Sequence, residues 1–345
     1  MLRAQLKRIS LVPIPRSLTR AGSSRRRFLS HFSGEQFEFP PVPVLRPTLW
    51  AIAATATIVI GCAAYDVRRD VQAVKRRGLF KEGGISSYED LEYATRHRSN
   101  AHNTSSRSSS TSKWFPSTQI STVLAGYTDA EKFALGAAAF NMGLVGASSL
   151  APGTFIQYFG HTPALSPNYT LLTSAFGHSG LLHAGINSFV LLQFGPQLSR
   201  SHIFEGNGSH FAAFYLSAGI LSSLGDHLAT ILPTRKYKFN RFIPALGASG
   251  VINALFGAWG TLDPDARVGM FPFPGSFAIR DMMAFLIVLE MYGLIVGFPL
   301  LSAAHAAHLS GLGIGVSYVY FDGANRIWRP TRRSVFNWMK RLKMV

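Results

Sequence analysis

Long apolar stretches broken by short polar ones dominate the chain. A helix needs roughly 20 mostly apolar residues to cross about 30 Å of hydrocarbon. Seven stretches approach that length: Pro47–Tyr65, Glu131–Ala151, Phe176–Gln197, His210–Leu232, Pro244–Leu262, Ala278–Phe298 and Ser302–Phe321. The first stands alone before a Ser/Thr-rich run at 96–117 that reads as a flexible linker. The other six follow closely. The pattern predicts an all-α polytopic membrane protein laid out as one helix plus six. The fifth and seventh stretches are marginal in length and rich in small residues. Ladders at Ala245, Ser249, Asn253 and Gly257, and at Ala303, Ala307, Gly311 and Gly315, predict two helices whose backbones approach closely.

Composition sharpens this picture. Among 345 residues only 15% are charged while 47% are hydrophobic. Phe133–Leu232 holds three charged side chains, Arg200, Glu205 and Asp226. A soluble surface needs far more, since about a quarter of ordinary residues are charged. An ordinary cytosolic enzyme and a disordered chain are both excluded. The net charge of +17 raises nucleic acid as a partner. The basic residues lie in the N-terminal arm, around 68–98 and in the tail, apart from the aromatics, so no basic stacking face forms and none is expected. Cys62 is the single cysteine, which precludes an intrachain disulfide.

Residues 1–34 carry eight basic residues, no acid and frequent serine. That is the composition of a mitochondrial transit peptide, drawn inward by membrane potential. The expected organisation is therefore a transit peptide at 1–34 and an N-terminal region at 35–130 with its span at 47–65 and its linker at 96–117. A six-helix core at 131–321 and a basic tail at 322–345 complete it. A matrix-facing N-terminus puts the tail in the intermembrane space, and the site is expected to open there as well.

Polar residues inside membrane helices are costly and point to function. His183, Asn187, Ser249 and His308 stand out. They lie on the third, fifth and seventh stretches, which run parallel. His183 is about seven residues into its stretch, Ser249 about five and His308 about six. At 1.5 Å per residue these three reach a common depth of roughly 7–11 Å. Asn187 lies one turn deeper on the same face as His183. The four can converge. Ser249, in Gly247-Ala248-Ser249-Gly250, is the candidate nucleophile and His308 the candidate base. His183, Asn187 and the Ser249 backbone N–H are candidate oxyanion donors. No acid lies at comparable depth on these three helices, so a Ser-His dyad is expected, its histidine oriented by packing. No cofactor and no metal are expected.

These motifs resemble the rhomboid family of intramembrane serine proteases. The matching runs are Phe176-Gly177-His178 through His183-Ala184-Gly185-Ile186-Asn187, then Gly247-Ala248-Ser249-Gly250, then Ala307-His308-Leu309-Ser310-Gly311 with Gly315. The one-plus-six layout, the arm and the runs Tyr215–Gly219 and Ala304–His308 are similar to the mitochondrial presenilin-associated rhomboid-like branch. The resemblance implies a rhomboid-like six-helix bundle with an extra N-terminal helix, multi-pass in the mitochondrial inner membrane. It also implies cleavage of single-span membrane proteins, acting in precursor processing and mitochondrial dynamics. By position, Ser249 is its nucleophile and His308 its base. His178, Gly247, Gly250 and His305 are site-mouth or supporting residues, Pro152–Ala175 is an interfacial loop and Ala278–Phe298 a substrate gate. Two departures are visible: Asn253 stands where many bacterial members place Tyr, and the common Trp-Arg pair is missing from Pro152–Ala175.

Three rivals compete. A non-catalytic rhomboid-like chaperone or scaffold would lack the serine or the base. A metalloprotease would combine His305 and His308 with His178 and His183, yet no HExxH occurs. A soluble α/β-hydrolase would need GxSxG on a strand–turn–helix.

Overall fold

The computed structural model describes residues 41–76, 78, 85–102, 124–232, 240–269, 275–298 and 304–345. The expected transit peptide and most of the Ser-rich linker lie outside them. Helices dominate the described residues: α1 Leu45–Arg76, α2 Tyr88–His102, α3 Asp129–Leu150, α4 Pro152–Phe159, α5 Thr170–Thr173, α6 Leu181–Ser199, α7 Gly208–Ala229, α8 Ser249–Leu262, α9 Ile279–Ile295, α10 His305–Tyr320 and α11 Arg329–Arg341. A π-helical turn at Ala324–Trp328 leads into α11, and two short antiparallel strands, β1 Arg267–Val268 and β2 Phe277–Ala278, join α8 to α9. The all-helical fold is consistent with a rhomboid-like bundle. Seven helices overlap the seven apolar stretches. Two of them, α1 and α3, are long and apolar enough to cross a membrane by length and composition.

Around a core that holds Phe211, Tyr215 and Leu255, the helices turn many large apolar side chains outward and many small ones inward. Leu182, Phe189, Phe285, Val288 and Ile295 are each more than half exposed, while Ala130, Ala134, Ala184, Ala254 and Ala258 are buried. That inversion suits a lipid surround, where close backbone approach holds helices together. It is sharpest between α8 and α10. A Cβ at Gly311 would strike the Gly250 carbonyl, and one at Gly315 the Ala254 carbonyl. In the α10 ladder Gly311 and Gly315 make the expected close approach, and Ala303 lies outside the described residues. On α8 the packing stripe is Gly250, Ala254, Gly257 and Ala258 rather than the predicted Ala245, Ser249, Asn253 and Gly257. Ala245 precedes the helix, and Ser249 and Asn253 lie on the neighbouring face.

The basic tail at 322–345 holds the π-helical turn and α11. Its Val335, Phe336 and Met339, with Trp328, pack against Ala63, Val67, Val71 and Leu91 of α1 and α2. Beside them, Arg332 lies 2.6 Å from Asp70 and 3.0 Å from Asp66, which also accepts from Asn207 (2.9 Å) and Arg69 (3.1 Å). Arg69 reaches on to Asp129 of α3 at 2.6 Å. Burial disfavours charge on Arg332, but Asp66, Tyr88 and Asp70 outweigh it and hold its pKa above the usual value. One expectation, the sidedness of the site, is corrected. The Pro43 carbonyl accepts from His227 Nε2 (2.7 Å) near the end of α7, where α6, α8 and α10 begin. The first helix therefore starts on the face where the site lies. On the expected one-plus-six layout, a matrix-side start would therefore give a matrix-facing site, since two crossings return a chain to the side it left.

Candidate active site

The parallel helices α6, α8 and α10 all begin at one end of the bundle, and each brings a predicted residue there. Their starts fall later than the apolar pattern suggested. His183 is the third residue of α6, Ser249 the first of α8 and His308 the fourth of α10. None of the three has a side-chain cap at its N-terminus. The first-turn N–H groups are thus left for other partners.

His308 Nε2 lies 2.7 Å from Ser249 Oγ, the pairing a base needs to take the hydroxyl proton. His308 is 15% exposed at its side chain, so the pair is sheltered yet reachable. On its other side, Nδ1–H donates to Glu290 Oε1 at 2.9 Å. That bond fixes the tautomer with Nε2 free to accept. Glu290 comes from α9, which runs antiparallel to the three helices compared in the sequence, and was absent from the expected set. Its second oxygen, Oε2, accepts from His305 Nδ1 at 2.6 Å. His305 is thereby placed beside the base, with its Nε2 buried and without a hydrogen-bond partner.

The serine is held by backbone constraints. Gly247 has φ +139°, and a Cβ there would sit 2.9 Å from the His183 ring. Only glycine meets both conditions. Gly250 packs against Ser222, where a Cβ would collide with the hydroxyl. Asn253 donates to the Ser249 carbonyl at 2.9 Å, one turn back along its own helix, and is not bonded to the base.

Of the expected oxyanion donors, His183 lies beside Gly247 and Ser249. His183 stacks edge-on against His178, with ring centroids 5.1 Å apart, and its Nδ1 meets Ser179 Oγ at 3.1 Å. His178 Nε2 accepts from Ala248 N at 3.4 Å, which anchors the turn before the serine. Asn187 is 6% exposed and its Nδ2 has no partner, so one buried donor is unspent. Beneath Ser249 a cavity of about 30 Å³ is lined by Ser174, Ser222, Ser223, Asp226 and Gly247. Its serines and Asp226 offer polar partners among apolar neighbours, and it is large enough for a water. Asp226, also outside the expected set, accepts from the Ala307 backbone N–H and lines a second cavity of about 160 Å³ with His183 and His305. The segment 152–175 folds over this end through α4, α5 and a bridge between His161 and Ala245.

Comparison with known proteins agrees with the motifs. Residues 166–325 match the rhomboid domain. The chain is 32% identical over 190 residues to the presenilin-associated rhomboid-like protein, mitochondrial, of Homo sapiens, covering 54% of this chain and 46% of that one. It is 31% identical over 185 residues to presenilin-associated rhomboid-like protein A, mitochondrial, of Danio rerio (53% and 45%). It is 28% identical over 155 residues to rhomboid protein 1, mitochondrial, of Saccharomyces cerevisiae (44% and 41%). The aligned stretch spans less than half of each relative. The resemblance to the presenilin-associated rhomboid-like branch holds across several vertebrate relatives.

Proposed function

We propose that this chain is a rhomboid-type intramembrane serine endopeptidase of the mitochondrial inner membrane, multi-pass, with a one-plus-six arrangement of spans. The 2.7 Å approach of Ser249 Oγ to His308 Nε2 carries the reading. Residues 131–321 form the protease core, 47–65 the extra span, 1–34 a transit peptide and 322–345 a basic appendage.

In this reading His308 accepts the Ser249 proton as Oγ attacks the scissile carbonyl. Negative charge then grows on the carbonyl oxygen, facing His183, the Asn187 amide and the Ser249 backbone N–H. Each such donor is worth on the order of 10²–10³ in rate. His308 passes its proton to the leaving amine, and the acyl-enzyme is hydrolysed by a water from the polar cavity under the serine. Glu290 keeps His308 in the accepting tautomer and balances the charge it gains, a positioning role. Helical substrates hide their carbonyls in intrahelical bonds, so single-span proteins with small or helix-breaking residues near the cut are the expected substrates. Precursor processing and mitochondrial dynamics are the processes such cleavage would serve.

The test is the full chain reconstituted in liposomes with a single-span substrate. Wild type should cleave it and bind a serine-directed phosphonate. Normal cleavage by Ser249→Ala or His308→Ala would overturn the mechanism. A scaffold of the same fold would show neither cleavage nor labelling.

A further inference from the structure

Glu290, His305 and His308 do more than orient one base. Their ligand-type atoms lie within 4.8 Å of one another, and the carboxylate already bridges the two Nδ1 atoms at 2.6 Å and 2.9 Å. We propose that these three side chains form an inhibitory binding site for a zinc-class divalent cation, which regulates the serine protease proposed above and rests on that reading.

Three points of chemistry support the site. Two imidazoles and one carboxylate suit Zn²⁺ rather than Mg²⁺ or Ca²⁺, which prefer oxygen. Donors around a tetrahedral ion with bonds of roughly 2 Å sit about 3.3 Å apart, so adjustments of about an ångström would admit the ion. The pieces are already gathered: His305 is 3% exposed, and Gly293 packs so tightly on its ring that a Cβ there would overlap it. An approach is present too. His305 lines the cavity of about 160 Å³ shared with His183, Ser179 and Asp226, whose carboxyl group can draw a cation inward.

Inhibition follows from the proton count. Neutral His308 carries one ring proton. In the working state it is on Nδ1, bonded to Glu290, and Nε2 accepts from Ser249. A cation on Nδ1 takes that lone pair, and the ring proton moves to Nε2. Nε2 then donates, and Ser249 has no base. The same shift at His305 puts its proton on Nε2, which no hydrogen bond now holds in either tautomer.

The experiment uses the chelator-stripped full chain, titrated with Co²⁺ and separately with Zn²⁺. Co²⁺ should give the visible absorption of a four-coordinate nitrogen–oxygen site, lost in His305→Gln and in Glu290→Gln. Zn²⁺ should stop substrate cleavage and phosphonate labelling, reversibly with chelator. Against its own metal-free rate, His305→Gln should need at least about tenfold more Zn²⁺. Absence of the Co²⁺ absorption overturns the proposal, as does inhibition equally strong in His305→Gln. Should His305→Gln be inactive, the Co²⁺ spectrum alone decides. A Co²⁺ spectrum that depends on His305, in a protein that cleaves nothing, would keep the cation site and discard the protease. Cleavage without the spectrum would do the reverse.

Discussion

The two ends of the bundle treat their polar groups in opposite ways. Away from the site, the starts of α3 and α7 are closed by side chains, although that of α9 is not. Thr128 and Glu131 form a reciprocal capping box on α3, and Asn207 caps α7 while also bonding Asp66. Before α2, Ser86 and Ser87 bond to Asp90 and hold its carboxyl group below the usual carboxylate range. Arg332 of α11 pairs its charge with Asp66 and Asp70 of α1, and Arg69 of α1 links Asp66 to Asp129 of α3. At the site end, α6, α8 and α10 have no side-chain caps, and Asn187 Nδ2 and His305 Nε2 are buried without partners. Satisfied polar groups fix a structure, whereas unsatisfied ones retain capacity for a ligand or a transition state. The closed end holds the helices in register so that the open end can leave donors unspent.

Substitutions can break this contrast, and the largest effects belong to the open end. Ser249→Ala and His308→Ala should each reduce cleavage on the order of 10⁴-fold or more, and the double variant should lose little beyond either single one, since the two act as a unit. Strictly additive losses in liposome assays would separate them. Glu290→Gln should lower kcat on the order of 10²–10⁴-fold with little change in KM and no loss of thermal stability. A fall confined to KM would make Glu290 a substrate contact instead. At the closed end the sign reverses. Arg332→Ala removes the buried cation beside Asp66 and Asp70 and should cost on the order of 3 kcal/mol of stability, seen as a lower thermal midpoint, while the folded fraction cleaves normally. Asn207→Ala should cost about 1 kcal/mol by the same measurement. If either closed-end variant impaired turnover without destabilising the protein, the division of labour would be wrong.

Much of the site was legible because it lies on three parallel helices, where depth can be counted from the sequence. The same count on an antiparallel helix would have found Glu290. It stands eight residues before Phe298, or roughly 12 Å from the same surface. Asp226, six residues before Leu232, yields to the same arithmetic, and both are rare acids in apolar stretches. The C-terminal helix was legible too. Trp328, Arg332, Val335, Phe336 and Met339 follow helical spacing, but the surrounding Arg and Lys made the segment read as a tail. The helix starts were not legible. Apolar loop residues such as Phe176 and Leu246 extend the hydrophobic pattern beyond the hydrogen-bonded turns. Nor was the Arg332 cluster, whose members lie 262 residues apart at the Asp70 contact.

Glu290 has a further consequence, because it rides on α9, the helix that resemblance assigns to the gate. Its outer face, with Phe285, Val288 and Ile295, is exposed, while Ile279, Met282 and Leu286 pack with Phe256 of α8 and Leu312 of α10. Swinging α9 outward to admit a transmembrane segment would carry the carboxylate away from His308. Entry and firing would then be mutually exclusive, like a door switch that cuts the current while the door stands open. A covalent tether between α9 and α10 should leave Ser249 reactive toward a small phosphonate while shutting out helical substrates.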